Sequence, residues 1–466
     1  MKSTIRAHFP MIYRISVCVL FLMVLFFTGL ETARIAPVAV AIVLLLSAGL
    51  IFLPRVRLLA LPFFLLCFLL IFCYDSYAVF IRYLWLLPVA AGAAVIRLIR
   101  LRPKFRCGAG FLPLCAVALA TTLGGVGVLS AGEYFSPVAL FYVCGLGVGQ
   151  VALYLVFKNE VKDEAENAEL LADIAALALT LSAMLIGFRL WHLQEALKLG
   201  ALPYVQWSNN IATMLLISFP ALLMHSKKNP VFLPLGFVAA LSTTLADSRG
   251  GTLFAPVLLF ACSLWLWLTE KRPVQRLWMR WFAYVCGAVF LSVYLVILHR
   301  YIYGLLPKHE EVRVELIRRS LSDFRESPVF GKGLAYQGND DLYHAKQGGI
   351  NWFHMFFPQI IGSMGLCGLL AWGWQLFARA RLAWARRTHP DFAFALCYLG
   401  LFLMSQVNPG EFCPIPYALE AVLFMVALEN GTENAVLKYN GKRRKKGGKG
   451  EAAKAAEEVA PGRAER

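Results

Sequence analysis

Three residues of this sequence carry side chains suited to phosphate and proton chemistry: Arg249, Arg313 and His354. Arg249 lies in DSRGG at 247–251, where two apolar runs meet, and His354 opens another long apolar run. An arginine can hold a phosphate through two parallel hydrogen bonds and keeps its charge at neutral pH. A histidine, with an ordinary pKa of about 6.5, can accept a proton from a hydroxyl group. Together the three would suit transfer chemistry on a phosphate-bearing substrate.

Each residue also has a purely structural interpretation. Asp247 can pair with Arg249, Arg313 can be one solvated arginine on an exposed helix, and a backbone carbonyl can satisfy His354 at a membrane interface. Arg189, near another span end, is explained by snorkelling to the interface. The eleven cysteines lie mostly in apolar runs and show no metal-ligand spacing with histidine, so they predict packing, and no metal or cofactor.

The composition indicates which elements must position these side chains. Of the 466 residues, 59% are hydrophobic and only 16% are charged, against about 25% charged residues in soluble domains. This excludes a soluble enzyme, a disordered chain and a disulfide scaffold. We predict an all-α, polytopic integral membrane protein with about 14 transmembrane helices, 12 being the lower bound. The candidate runs are roughly 12–30, 35–53, 58–74, 78–96, 111–130, 137–157, 170–190, 211–225, 231–247, 251–269, 281–298, 352–377, 392–407 and 415–429.

Charge placement predicts the orientation. The net charge is +17, and lysines and arginines concentrate in alternate gaps between the runs, as the positive-inside rule requires. Both termini are therefore predicted to be cytoplasmic. The basic tail at 430–466 is predicted to be disordered and to lie near anionic membrane lipids rather than to bind nucleic acid. In this topology Arg249, Arg313 and His354 all fall on the extracytoplasmic side.

One long gap, at 299–350, is predicted to be an extracytoplasmic loop. Residues 311–324 form an amphipathic pattern, in which Ile317, Leu321 and Phe324 recur at spacings of four and three. The stretch SPVFGKG at 327–333 then ends the helix in a turn. Two arginines beside a neutral histidine on this side are the minimum set for glycosyl transfer from a lipid pyrophosphate.

Three stretches of the sequence resemble the O-antigen ligase / O-antigen polymerase family of bacterial membrane glycosyltransferases. ADSRGG at 246–251 is similar to the family's Ser-Arg-Gly turn between two spans. VRVELI at 312–317 and SPVFGKG at 327–333 resemble its arginine-bearing helix and Pro-x-x-Gly-x-Gly turn. The resemblance runs from about 231 to 377.

The third stretch begins at His354 and resembles the family's His-Asn and Gly-x-x-Gly span, with Gln359, Gly365 and Gly368 following. Met355 stands where the family usually has asparagine, and Asn351, one helical turn earlier, is a candidate for that polar role.

The resemblance implies that Arg249 and Arg313 bind the pyrophosphate of a polyprenyl-linked glycan donor. His354 would be the general base for a hydroxyl acceptor on glycan, lipid or protein. It also implies a metal-independent glycosyltransferase without cofactors, in the bacterial cytoplasmic (plasma) membrane, that acts in surface polysaccharide biosynthesis. Ligase and polymerase activity stay equally open.

Two other functions are compatible with this sequence. A transporter or flippase for a lipid-linked or anionic substrate is the main alternative, although charges collected on one face and the lack of a clear internal repeat argue against it. A noncatalytic scaffold is the other. We divide the chain into an N-terminal transmembrane bundle (1–230), an O-antigen ligase-like catalytic region (231–377), C-terminal transmembrane helices (378–429) and the basic tail (430–466).

Overall fold

The computed structural model describes residues 2–28, 31–72, 82–83, 85–101, 106–126, 142–160, 164–193, 198, 208–302, 310–336 and 352–432. The regular structure of these residues is helical, without a β-strand. The stretch 337–351, which includes Asn351, and the tail beyond 432 lie outside the described residues, so predictions made for them are untested. The main α-helices are α1 (Lys2–Thr28), α2 (Thr32–Phe52), α3 (Ala60–Phe72), α4 (Leu86–Leu101), α5 (Phe111–Leu123), α6 (Gln150–Glu160), α7 (Glu164–Trp191), α8 (Ser208–Met224), α9 (Phe232–Leu245), α10 (Arg249–Thr269), α11 (Pro273–Ile302), α12 (Glu310–Glu326), α13 (Phe356–Ala385), α14 (Phe392–Ser405) and α15 (419–432).

Several of these helices match the length of a bilayer. Six of them (α1, α2, α7, α10, α11 and α13) are long and apolar enough to cross a membrane. Other predicted runs form shorter apolar helices, such as α9 and α14 with 14 residues each. The prediction of an all-helical membrane protein is confirmed. The count of 14 spans stays a prediction.

Helix α8 forms the centre of the bundle. Every residue from Ile211 to Met224 is buried, and α7, α9, α10 and α14 pack around it. Its hydroxyl groups bond back to the helix, as Thr213 donates to the Asn209 carbonyl at 2.6 Å and Ser218 to the Met214 carbonyl at 2.7 Å. A helix that is apolar all round lies in a protein core or in a membrane, and here other helices of the protein enclose it. By contrast, only 11% of the most apolar part of α11 is buried within the described protein, as expected of a helix that faces lipid.

Helix α13 folds back on itself at Gly365. This glycine has φ 60° and ψ −147°, which is not helical. The rings of Phe356 and Trp372 lie 5.2 Å apart, whereas 16 residues of straight helix would separate them by about 24 Å. The element therefore has two limbs, 356–364 and 366–385, and only the second has the roughly 20 residues that a membrane crossing needs. The predicted run 352–377 includes this reversal.

Helix α12 is the amphipathic helix predicted at 311–324, slightly longer than predicted. It packs mainly against α13. Leu316, Ser320 and Asp323 form its buried face. The apolar residues that revealed the helix in the sequence face elsewhere, since Ile317 is 40% exposed and Leu321 is 43% exposed.

Candidate functional site

The turn between α9 and α10 presents Arg249. Asp247 adopts a left-handed backbone with φ 60°, an uncommon conformation for any residue other than glycine. Ser248 then caps α10, because its Oγ accepts a hydrogen bond from Gly251 N at 3.0 Å. The same Oγ donates to Asn209 Oδ1 at 2.7 Å, which ties the turn to the start of α8. Arg249 is the first residue of α10, and its side chain is exposed.

Arg189, near the end of α7, holds this turn from the other side. It is buried, and its Nε and Nη2 donate to the Leu245 carbonyl at 2.9 and 2.6 Å. Its Nη2 also lies 2.5 Å from Asp247 Oδ2. The snorkelling interpretation of Arg189 is therefore wrong, and Asp247 pairs with Arg189. Arg249 has no hydrogen-bond or ion-pair partner among the residues that the structure describes, so its guanidinium is available to a ligand.

Arg313 approaches the same turn through Val407. Its Nη2 donates to the Val407 carbonyl at 3.4 Å, and its side chain is exposed. On the α10 side, a Cβ built on Gly250 would lie only 2.8 Å from Val407 Cγ2. The segment after α14 therefore lies between the helix that carries Arg313 and the turn that carries Arg249.

A buried ionic cluster fixes this segment. Glu411 is fully buried, and its Oε1 lies 2.6 Å from Arg379 Nη1. Tyr398 donates to Glu411 Oε2 at 2.9 Å, and the Glu411 backbone N–H donates to Ser405 Oγ at 3.1 Å. A buried carboxylate of this kind is tolerated only when it is paired and hydrogen-bonded. The cluster therefore fixes the chain next to Val407.

His354 lies on a strained backbone that its neighbours hold in place. Its φ is 53°, and it shares with Asp247 a left-handed conformation that no other non-glycine residue of the described part adopts. The N–H of Phe353 donates to Gln359 Oε1 at 2.9 Å, and Gln359 Nε2 donates to Ser363 Oγ at 2.9 Å. Strain of this type costs about 1–3 kcal/mol and tends to occur at functional sites.

The electrostatic environment keeps the His354 imidazole neutral. Burial first, and then the positive charge of Arg313, lower the pKa of His354 from 6.5 to about 4. At pH 7 the ring is therefore able to accept a proton. The effect of Arg313 on this pKa also means that the two side chains lie in one electrostatic environment.

The glycine-rich turn at 327–333 joins the arginine helix to the histidine helix. It fits into the break in α13, where Gly331, Gly333 and Gly365 have φ values of 63°, 87° and 60°. Ser320 of α12 adds a bond from its Oγ to the Pro358 carbonyl at 2.7 Å. Four main-chain bonds complete the junction: Lys332 N to Gly362 O (2.8 Å), Gly333 N to Ser363 O (2.9 Å), Leu366 N to Pro328 O (2.9 Å) and Cys367 N to Val329 O (3.0 Å). Two of the three sequence motifs thus form one structural unit.

Arg249, Arg313 and His354 are related in the structure by two kinds of contact. Arg313 and His354 interact electrostatically, and Arg313 reaches the turn of Arg249 through Val407. Sequence reasoning misinterpreted Arg189 as a snorkelling residue, and it missed Glu411, a charge in the short gap between the last two runs. Within the described ranges, no group of three or more His, Cys, Asp or Glu residues is arranged to hold a metal ion.

The described residues form a helical membrane protein in which the charge of Arg313 acts on the pKa of His354 and Arg249 lies on a turn beside the same segment of chain. Residues 234–373 match the family model described as O-Antigen ligase. The match covers just under a third of the chain, and it supports the resemblance to the O-antigen ligase / O-antigen polymerase family that the motifs predicted. The match contains Arg249, Arg313 and His354, and it supports a ligase- or glycosyltransferase-like enzyme of surface polysaccharide biosynthesis. No curated protein matches the chain significantly.

Proposed function

We propose that this protein transfers a glycan from a polyprenyl pyrophosphate to a hydroxyl acceptor on the extracytoplasmic face of the bacterial cytoplasmic membrane. Arg249 and Arg313 bind the pyrophosphate, and His354 is the general base. The proposal depends chiefly on one observation. Arg249, which has no partner among the described residues, adjoins Gly250, and Gly250 packs against Val407. Arg313 donates to the Val407 carbonyl, and its charge acts on the neutral His354.

The chemistry follows from these roles. His354 takes the proton of the acceptor hydroxyl while the acceptor oxygen forms a bond to the anomeric carbon of the donor sugar. The bond from that carbon to the pyrophosphate oxygen breaks, and the electron pair stays on the leaving polyprenyl pyrophosphate. The two guanidinium groups stabilise the charge that develops there, which is the role that a divalent cation has in other phosphate-transfer sites.

Donor binding would itself make His354 a stronger base. In the free site, burial and the charge of Arg313 lower the pKa of the imidazole to about 4. A bound pyrophosphate would neutralise Arg313 and add negative charge nearby, and negative charge raises the pKa of a histidine. The site would therefore be activated for proton transfer only when the donor is in place.

Turnover by purified protein tests the proposal. We expect protein in lipid nanodiscs to consume a polyprenyl-pyrophosphate oligosaccharide without any ion gradient, which a transporter would not do. Arg249→Ala, Arg313→Ala and His354→Ala should each abolish transfer and leave the amount of membrane-inserted protein unchanged. Arg276→Ala, at an exposed position in the first turns of α11, is the matched control and should transfer normally.

The products of the same reaction distinguish the two activities. A single transferred unit indicates a ligase, and a ladder of lengths indicates a polymerase. Full turnover by His354→Ala would reject His354 as the base. Normal turnover by both arginine variants would reject the pyrophosphate site.

A further inference from the structure

Helix α12 has three faces: one packs against α13, one is charged, and one is apolar and exposed. Val314, Ile317 and Leu321 are 47%, 40% and 43% exposed. Their spacings of three and four residues place them in one stripe along the helix. No other described part of the protein covers this stripe.

The packed face lies directly beside the stripe. Leu316, Ser320 and Asp323 are buried, and Ser320 donates to the Pro358 carbonyl. Going round the helix in the other direction, the stripe is followed by Arg318, whose side chain is 75% exposed, and by Ser322, which is also exposed. Glu315 lies on the same face and pairs with Arg318 at 3.8 Å and with Arg319 at 3.3 Å, so the face carries both signs of charge. A helix with an apolar stripe beside a charged face is typical of one that lies in the membrane–water interface.

Two features favour lipid as the occupant of the stripe. The lipid-facing helix α11 ends at Ile302, eight residues before α12 begins at Glu310, so α12 follows directly from a membrane-embedded element. Ser320 of α12 contacts Pro358, and the preceding residue, Phe357, is another large apolar side chain with 46% exposure.

We propose that α12 lies in the membrane–water interface with Val314, Ile317 and Leu321 in the lipid. Arg313 then has a defined depth, because on the helix it stands at the border between the packed face and the lipid-facing stripe. Its guanidinium lies at the level of the phosphate groups. The depth of Arg313 deepens the proposed function, because a pyrophosphate whose isoprenoid chain stays in the bilayer would arrive at the same level. The proposal rests on the proposed function only for the identity of that ligand.

The test measures accessibility and needs no activity. A ketone-bearing amino acid is placed at Ile317, or at Ser322 as the matched control, in protein in lipid nanodiscs, and a nitroxide is attached to it. Electron paramagnetic resonance then compares relaxation by oxygen, which concentrates in lipid, and by a water-soluble nickel complex. We expect the label at 317 to be accessible to oxygen and shielded from nickel, and the label at 322 to show the reverse. Leu321 is a second labelling position on the stripe, in case the first variant does not fold.

Two results would overturn the proposal. Equal access of nickel to positions 317 and 322 would show that the stripe faces water. Shielding of position 317 from both reagents would show that protein, such as a second copy of this chain, covers it. Neither result depends on whether the protein transfers a glycan, so failure here is distinct from failure of the proposed function.

Discussion

At the residue scale, the neutrality of His354 is the property on which the proposed base catalysis depends. The ring is buried next to a permanent positive charge, and both effects disfavour the imidazolium form. The identity of this residue could be predicted, because a histidine at the start of an apolar run is conspicuous. Its left-handed backbone could not be predicted. It accompanies the bond from the Phe353 N–H to Gln359, which in turn bonds to Ser363, and these bonds form only in the folded chain.

The pH dependence of His354 can be predicted from its surroundings. Since the pKa is lowered to about 4, the imidazole of the free enzyme loses its basic form only as the pH falls through that value. Arg313→Gln removes the smaller of the two causes, so the pKa should rise but stay below the ordinary value of 6.5. Arg313→Lys keeps the charge and should leave the pKa near that of the wild type.

Carbon-13 NMR of histidine-labelled protein measures this pKa without requiring activity, and the His354→Gln variant assigns the signal. A wild-type pKa near 6.5 would contradict the burial argument. An unchanged pKa in Arg313→Gln would show that Arg313 and His354 do not interact.

The ion pair of Arg189 and Asp247 also belongs to the residue scale, because it holds the turn that presents Arg249. The two residues lie 58 positions apart, on α7 and after α9, and no local pattern in the sequence connects them. Arg189→Met should lower kcat/KM for the glycan donor by about tenfold, the effect of about 1.4 kcal/mol. The loss should appear mainly in KM, since the chemistry at His354 is untouched.

A double-mutant cycle distinguishes this role from a general loss of stability. If Arg189 acts through Asp247, then Arg189→Met combined with Asp247→Asn should be little worse than either single variant. Strictly additive losses in kcat/KM would mean that the two residues act independently.

At the element scale, the reversal of α13 brings two motifs together. The glycine-rich turn at 327–333 fills the break at Gly365 and so sets the position of α12 relative to His354. Hydrophobic patterning predicted a helix over this run, and it could not reveal the break, since the apolar residues continue on both sides of Gly365. A positive φ angle at one residue does not change the hydropathy pattern of the sequence.

Gly365→Ala should damage both stability and transfer. At φ 60° an alanine is strained, and its Cβ would lie 2.6 Å from the Pro328 carbonyl oxygen. We expect the free energy of unfolding to fall by about 1–3 kcal/mol, the usual cost of such backbone strain. We also expect a large loss of transfer activity. Thermal unfolding in detergent and the transfer assay measure the two effects.

Gly373→Ala is the matched control, because it lies in the second limb of α13 and a Cβ there meets no atom within 4 Å. Since alanine favours helix over glycine, this variant should be as stable as the wild type or slightly more stable. If Gly365→Ala and Gly373→Ala had equal stability and equal transfer activity, the reversal at Gly365 would not be required for function.

At the scale of the whole molecule, lipid is the solvent that decides the architecture. Composition alone predicted an all-helical membrane protein, because a spanning chain must satisfy its backbone hydrogen bonds internally. The buried clusters escaped prediction. Glu411, Arg379 and Tyr398 come from three different segments, and their pairing is a property of the assembled bundle.

The most direct test of the central claim separates binding from chemistry. Equilibrium binding of a polyprenyl pyrophosphate that carries no glycan is measured for variants in nanodiscs, alongside transfer from the complete donor. Hydrogen bonds to charged groups contribute about 1.5–3 kcal/mol each. Arg249→Ala and Arg313→Ala should therefore weaken binding by about 10–100-fold. His354→Ala should bind as tightly as the wild type and transfer nothing. Wild-type binding by both arginine variants, or transfer by His354→Ala, would contradict the account.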